Sequence, residues 1–183
     1  MRHPNPLRLS FLMLFAIGCA GANTNAAPPP QPSTELIKIQ VGPQTLTLTR
    51  DHEISTIELP ASRDRVWKAV VAAHETLGLA MSSLDNSAGV AVYVHQRSHL
   101  LDGNRLSKYI DCGSTIHGDR TDSYAVTVRV TATVESRGPN ATAVHSGVNA
   151  WARNPQTSSD AVACSSTGLL EQRIAELIAA GLK

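Results

Sequence analysis

The strongest constraint on the fold is a long alternation of apolar and polar residues between Tyr124 and Glu135. Its even positions are apolar, and from Thr127 onward its odd positions carry threonine, arginine or glutamate. A period of two predicts a long strand with one buried face and one face in water. The turn residues Gly138-Pro139-Asn140 follow, and residues 143–153 are predicted to form the returning strand. We therefore expect an antiparallel hairpin at the centre of the fold.

Shorter segments are also predicted to be strands, because they alternate or are almost wholly apolar and are bounded by turn residues. They are residues 36–41, 46–49, 54–59, 79–84 and 90–94. The first two flank Gly42-Pro43 and are expected to form a hairpin. Between Gln96 and Asp122 no clear period occurs, and we expect this segment to be a polar excursion from the sheet.

A first helix is predicted over residues 62–77. Val66 and His74 belong to one broad face at helical spacing, which is mostly apolar. Ser62 is the candidate N-cap residue. Gly78 is the candidate left-handed residue that ends the helix.

A second helix is predicted over residues 168–182, because Leu170, Ile174 and Ile178 recur at helical spacing and form an amphipathic stripe. Glu171 is expected on the opposite, solvent-facing side. The order of strands, helix, strands and helix predicts an α+β fold. We expect an antiparallel sheet of about five to seven strands, packed by one N-terminal helix and one long C-terminal helix.

Residues 1–18 have the features of a secretory signal peptide. Arg2 and Arg8 precede the apolar run of residues 11–17, and small residues follow it. The run is shorter than the stretch of about 20 apolar residues that crosses a bilayer. A buried core helix is the alternative, but it leaves the prolines on both sides of the run unexplained.

Residues Ala16-Ile17-Gly18-Cys19 resemble the lipobox of bacterial lipoproteins, with alanine where leucine is more usual. This resemblance implies that the signal is cut before Cys19, which is then diacylated on its sulfur and acylated, as with palmitate, on its amine. Several acyl chains anchor a protein durably, at about 0.8 kcal/mol per buried CH₂. Because Ala20 follows, and not an aspartate that favours the inner membrane, the expected location is the periplasmic side of the outer membrane. The inner membrane and a soluble secreted form are the alternatives.

Residues 19–35 are expected to be a lipid-anchored, proline-rich tether. They lack apolar periodicity and hold four prolines between positions 28 and 32. Such a segment reaches roughly 20 Å as a coil and up to about 50 Å when extended. Residues 36–183 are then predicted to be a single α+β periplasmic domain.

The charge balance gives no support to nucleic-acid binding. The chain has 16 basic and 15 acidic residues, and loss of residues 1–18, which hold two arginines and no acid, leaves 14 basic residues. A nearly neutral domain lacks the basic surface that such partners require.

The three cysteines divide into one candidate acylation site and one pair. If Cys19 carries lipid, Cys112 and Cys164 remain, and a disulfide between them is predicted in an oxidising compartment. Closing a loop of roughly 50 residues contributes on the order of 4 kcal/mol. Metal binding by the two cysteines is the weaker alternative, because no CxxC motif occurs.

The polar excursion holds histidines and acids but no recognisable catalytic, metal-binding or cofactor motif. His95 and His99 are four residues apart but leave a strand for a loop, so a metal site would need Asp102 or His117 as a further ligand. We expect solvated loop histidines and no metal. The acids of this segment could form a general acid–base pair, but aspartate in such segments more commonly forms turns. They are Asp102, Asp111, Asp119 and Asp122.

Trp151 is the candidate contact residue for a partner. It shares the odd-numbered face of its predicted strand with His145 and Arg153. If that face is in water, an exposed tryptophan marks an interaction surface. If the helices cover that face, Trp151 belongs to the core, which is the favoured interpretation because tryptophan is highly buried on average.

The segment Ile57–Val70 resembles the opening of helix-grip domains, in which a strand ending in Pro-Ala leads into a helix with a Val-Trp pair. The resemblance extends from Ile54 to Lys183 only in the order of the elements. Together with the lipobox, it makes the chain similar to lipoproteins of the BamC type, which accompany outer-membrane protein assembly. This similarity implies the fold and the compartment and assigns no functional residue.

Two classes of function are predicted. The first is an outer-membrane-anchored periplasmic lipoprotein that acts as a non-catalytic binding or adaptor module for another envelope protein. The second is a carrier of a lipid or small ligand, with an apolar pocket between the sheet and the last helix, as in larger helix-grip domains. The short domain lacks phenylalanine, so a cavity of several hundred Å³ would remove much of its core. No enzyme activity and no cofactor are expected.

Overall fold

The computed structural model describes residues 34–51, 54–96, 99–157 and 160–183. The signal, Cys19 and nearly all of the predicted tether lie outside the described residues. The strands and helices follow one another along the chain in a fixed order. They are β1 (Thr34–Val41), β2 (Gln44–Asp51), β3 (Ile54–Leu59), α1 (Arg63–Thr76), β4 (Ala80–Asp85), β5 (Val90–His95), β6 (Leu100–Leu101), β7 (Asn104–Arg105), β8 (Ile110–Asp111), β9 (Ser114–Thr115), β10 (Gly118–Asp119), α2 (Arg120–Ser123), β11 (Ala125–Gly138), β12 (Ala141–Arg153), β13 (Val162–Ser166) and α3 (Leu169–Ala180).

The large sheet has nine strands. Seven follow the continuous order β1-β2-β3-β12-β11-β5-β4, and β13 pairs with β12 and β8 with β13. Along one edge of β12, β3 pairs with residues 142–147 and β13 with residues 150–152, both antiparallel. The fold is therefore α+β with an antiparallel sheet. The prediction of about five to seven strands missed β8 and β13, because both are short and lie in segments without a clear period.

The predicted central hairpin is formed by β11 and β12, which pair from Ala125 opposite Arg153 to Glu135 opposite Ala143. Every even position of β11 from Val126 to Val134 is at most 4 % exposed. No odd position of β11 is buried. The alternation in the sequence thus separates one buried face from one accessible face, as predicted.

Helix α1 packs on the buried face of the sheet and begins directly after Ser62. Ser62 is the N-cap residue, as predicted, although its side chain makes no capping hydrogen bond. Asp64 lies in the first turn, where its negative charge interacts favourably with the positive end of the helix dipole. The helix ends before Gly78, whose φ of +71° is the left-handed conformation that glycine adopts without strain.

Helix α3 buries its predicted stripe against the same face, and Leu170, Ile174 and Ile178 are fully buried. Glu171 is only 1 % exposed, so its predicted position on the solvent side is wrong. Its Oε2 accepts a 2.8 Å hydrogen bond from the Ser166 hydroxyl at the end of β13. The cause of the error is β13, which the sequence pattern did not reveal.

The polar excursion is built from short hairpins and a single-turn helix. Between β6 and β7, Asp102 and Gly103 have φ values of +50° and +69°, as in a type I′ turn with the sequence Asp-Gly. Leu106, which begins the 3₁₀ turn Leu106–Lys108, and Tyr109, which follows the turn, are buried in the main core. The excursion is therefore attached to the domain by apolar contacts as well as by its strands.

Candidate functional site

The predicted disulfide joins Cys112 to Cys164, 52 positions apart. Cys112 follows β8 and is buried, while Cys164 lies within β13 opposite Ala150 of β12. Because β13 also pairs with β8, the covalent bond and the strand pairing hold the excursion against the same edge of the sheet. Both sulfurs are consumed by this structural bond.

The backbone around Cys112 is fixed by the buried hydroxyl of Thr121. This hydroxyl donates to the carbonyl of Ile110 and accepts from the backbone N–H of Cys112. The Asp119 carboxylate accepts from the backbone N–H of Thr121 and so caps α2. Buried polar groups that are paired in this way specify one conformation.

Trp151 lies on the face of the sheet opposite the helices. It is half-buried, stands in register with Thr127 of β11 and Ala163 of β13, and does not belong to the buried core cluster. The favoured interpretation of Trp151 as a core residue is therefore wrong, because the helices cover the even positions of β12 and Trp151 is odd. The guanidinium carbon of Arg129 lies 5.8 Å from the centre of the indole ring, within cation–π range.

We call the face that carries Trp151 the outer face. It consists of the odd positions of β11 and β12 together with the residues of β5 and β3 that stand in register with them. Across β5, Val90, Val92 and Val94 are half-buried. In β12, Ala143 is the buried exception among the odd positions. The accessibility of this face indicates that no element within the described residues covers it.

A polar bridge crosses the outer face at His145. Its Nδ1 is 2.9 Å from the Thr56 hydroxyl of β3, and its Nε2 is 3.4 Å from an oxygen of Glu135 in β11. The three side chains lie on adjacent strands in the order β3, β12 and β11. Together with the aromatic–guanidinium pair of Trp151 and Arg129, they give the outer face fixed polar groups between short apolar side chains.

The acids of the excursion have structural partners. Asp111 accepts from the backbone N–H of Gly113, as aspartate does in a turn. Asp122 lies 3.4 Å from the exposed guanidinium of Arg105. Asp111 in its turn and Asp119 at its helix cap thus have the local backbone-bonding role that was expected, whereas Asp122 takes part in a surface ion pair.

Asp102 lines an open cleft of about 350 Å³ between the excursion and the start of α3. Its Oδ2 accepts a 2.9 Å hydrogen bond from Nε of Arg173, and Glu176 lies 3.6 Å from the same guanidinium. The hydrogen bond that Arg173 donates to Asp102 raises the pKa of the guanidinium above its usual value. The ammonium of Lys108 stands 5.4 Å from the ring centre of Tyr109. The cleft thus holds equal numbers of positive and negative side chains, and the ion pair between Asp102 and Arg173 joins the excursion to α3.

The histidines considered as metal ligands are not brought together. His99 Nδ1 lies 3.2 Å from the backbone carbonyl of Thr121, and His117 is exposed on the β9–β10 turn. Within the described residues, no three side chains of histidine, cysteine, aspartate or glutamate are grouped as they would be around a metal ion.

A buried polar pair lies under α1, at the position where the sequence placed a histidine on the buried face. His74 and Tyr93 are both fully buried, and their rings stack at 4.1 Å with an angle of 10°. His74 Nδ1 is bonded to the carbonyl of Val70, while its Nε2 and the Tyr93 hydroxyl have no hydrogen-bond partner among the described residues. Burial lowers the pKa of His74 and raises that of Tyr93. The pairing across α1 and β5 was not predictable, because no local pattern links the two positions.

None of the helices in the described part of the chain is both long and apolar enough to cross a bilayer. No protein-family model matches the chain, and no curated protein is significantly similar to it.

Proposed function

We propose that this chain is a lipoprotein anchored through Cys19 to the periplasmic side of the outer membrane, and that it acts as a non-catalytic adaptor for another envelope protein. The lipobox and the proline-rich tether support the anchor. The near-neutral charge supports a protein partner over nucleic acid. The helix-grip packing of the BamC-like resemblance is part of this proposal, and the contact of α3 with β1, β3 and β12 supports it.

The observation that carries the adaptor proposal is the outer face around Trp151, which no element of the described residues covers. Tryptophan and arginine are the residue types most often responsible for binding energy at protein interfaces. Arg129 holds the indole by a cation–π contact, so the pair loses little conformational entropy when a partner binds. Exposed Asn149 lies directly opposite Arg129 and supplies a hydrogen-bonding rim.

The proposed tether keeps the outer face close to the membrane. A domain confined within a few tens of ångströms of a membrane meets other proteins of that membrane at a high effective concentration. A modest contact area on the outer face is then sufficient for a specific but reversible association.

The test is in-cell crosslinking of the full, tagged chain in the native bacterium, followed by identification of the attached molecules. We expect one reproducible envelope protein with the wild-type chain, and its loss in Trp151→Ala. The matched control is Leu169→Ala, which removes an exposed apolar side chain from the start of α3, 43 % exposed, and should leave the crosslink intact. An equal loss in both variants, or no protein partner at all, contradicts the adaptor proposal.

The carrier is the second candidate, and an apolar cleft supports it. About 260 Å³ lie between the β1–β2 turn, the start of α1 and the end of α3. Leu46, Leu59 and Leu182 are among the lining residues. Against this candidate, the space between the two helices and the sheet is occupied by buried side chains such as Val70 and Ile174. A lipid that co-purifies in stoichiometric amount, with no protein partner, would favour the carrier.

The anchor is tested separately by Cys19→Ala. Loss of the acyl chains should move the protein from the membrane fraction to the soluble fraction. Retention of Cys19→Ala in the membrane would show that the anchoring proposal is wrong, without bearing on the outer face.

A further inference from the structure

We infer that β4 is a self-association edge, at which two copies of this chain pair antiparallel about a two-fold axis. β4 ends the strand order of the large sheet, and all six of its residues are exposed. Its free backbone edge has no strand partner within the described residues. Such an edge is a template for pairing with another chain. This inference goes beyond the proposed adaptor function, because it concerns the edge strand β4 and not the strands β11 and β12 that carry Trp151.

The two outer edges of the sheet differ in how they discourage pairing. β1 carries exposed Lys38 at its centre, and a charged edge residue is a common protection against association. β4 has the sequence Ala-Met-Ser-Ser-Leu-Asp, with no lysine or arginine and with its one acid at the end. Met81 and Leu84 are 45 % and 40 % exposed on it.

A bulge in β4 makes its apolar residues share one face. Residues three apart in a regular strand point to opposite faces. In β4 the register shifts between Met81 and Ser83, so that Met81 is opposite Tyr93 and Leu84 opposite Ala91. Tyr93 and Ala91 are both fully buried on the helix-covered face. The bulge therefore brings Met81 and Leu84 to the same side, in line with the core.

The edge is complementary to itself in one antiparallel register. With the two-fold axis between Ser82 and Ser83, Met81 faces Leu84 of the second copy, and Leu84 faces its Met81. Ala80 and Asp85 then oppose each other on the other side of the extended sheet. This symmetric arrangement is the isologous contact that closes a dimer. Its apolar pairs stabilise the contact as cross-strand pairs do within a sheet.

The shape of the edge supports the second copy as the occupant. At the Ala80 end of β4 lies a cleft of about 600 Å³, lined by Gly78, Met81, Val94 and Arg129. At the other end Asp85 opens the exposed β4–β5 turn. The two-fold axis brings that turn of each copy toward the cleft of the other.

The interface is small, so the dimer is expected to be weak. Six residues a side fall below the roughly 20–30 residues a side of a stable interface. The bulge also interrupts the ladder at the symmetry axis. Association is therefore expected to be reversible and dependent on concentration.

The first test is sedimentation equilibrium of the full chain carrying Cys19→Ala, which needs no detergent and is independent of the anchor. We expect a monomer–dimer equilibrium as the chain is raised toward about 1 mM, where even weak association is populated. Met81→Lys with Leu84→Lys should weaken it more than about tenfold, because like charges then oppose each other twice. Leu36→Lys, at a site 67 % exposed on β1, is the matched control and should leave it unchanged. A monomer at every concentration, or equal effects at both edges, overturns the proposal.

The second test reads the register and remains informative if the lysine variants fold poorly. Met81→Cys and Leu84→Cys are made separately in the Cys19→Ala chain and oxidised alone or mixed. The mixture should crosslink well beyond either variant alone, because only residues 81 and 84 of different copies lie directly opposite. No preference for the mixed crosslink overturns the antiparallel register.

Discussion

The inner and outer faces of the same two strands differ in what their side chains do. In β11 the inner positions are valine or alanine and are at most 4 % exposed beneath α1 and α3. The outer positions next to them are threonine, arginine and glutamate, none of them buried. The inner face therefore stabilises the fold, whereas the outer face contributes little to it and is available for contact. Substitutions on the two faces should differ accordingly.

The largest effect on stability is expected when the disulfide that joins the excursion to β13 is removed. The double variant Cys112→Ala/Cys164→Ala frees a loop with a sequence separation of 52. We expect its free energy of unfolding to fall by about 4 kcal/mol, measured by urea denaturation. Cys19→Ala is the control and should leave this quantity unchanged. A change below about 1 kcal/mol in the double variant would show that the strands alone hold the excursion.

A cavity under the helices should rank next. Ile174 of α3 is fully buried, and Ile174→Ala should cost about 2–5 kcal/mol of unfolding free energy. Thr131→Ala on the outer face of β11 should cost less than about 1 kcal/mol. Equal losses in the two variants would remove the distinction between the faces.

His74 should make the stability of the folded protein depend on pH. Burial lowers its pKa in the folded protein, whereas in the unfolded chain histidine titrates near the usual value of about 6.5. The unfolded chain thus binds the proton first, so stability is full above about pH 6.5 and falls as the pH drops from there toward the lowered pKa. The slope is at most about 1.4 kcal/mol per pH unit for one proton.

Denaturation curves at several pH values check this dependence. His74→Phe retains a ring that stacks on Tyr93, and it should remove the part of the pH dependence of the unfolding free energy that His74 causes. His117→Phe, at an exposed position, is the control and should behave like the wild-type chain. An unchanged slope in His74→Phe would mean that other groups cause the acid sensitivity.

The smallest effect on stability is expected at Trp151. Its side chain is half-buried and outside the core, so Trp151→Ala should lower the free energy of unfolding by about 1 kcal/mol or less. Thermal unfolding monitored by circular dichroism provides the comparison with Ile174→Ala. A loss as large as that of Ile174→Ala would place Trp151 among the structural residues of the protein.

Strictly periodic segments made much of the fold predictable. The alternation from Tyr124 to Glu135 predicted β11 and its faces, and the spacing of Leu170, Ile174 and Ile178 predicted α3. The cysteine count predicted the bond between Cys112 and Cys164 once the lipobox resemblance had assigned Cys19 to lipid and implied an oxidising compartment. In each case a short-range rule or a simple count determines the outcome.

Features that depend on contacts between distant segments were not predictable. β13 became visible only through its pairing with β12 and β8, and its absence from the prediction led to the wrong position for Glu171. The side of the sheet that the helices cover decided the environment of Trp151, and no local pattern encodes that choice. The bulge that aligns Met81 with Leu84 is likewise a property of pairing and not of sequence spacing.

The most direct test of the central claim is a site-specific photo-crosslinking scan in cells. A photoreactive residue is placed in turn at outer-face positions Thr127, Asn149 and Arg153, and at helix-surface positions Lys68 and Leu169. We expect one common protein partner from the outer-face positions and none from the helix surfaces. The same partner from both surfaces, or from the helices alone, would contradict the assignment of the outer face as the contact surface.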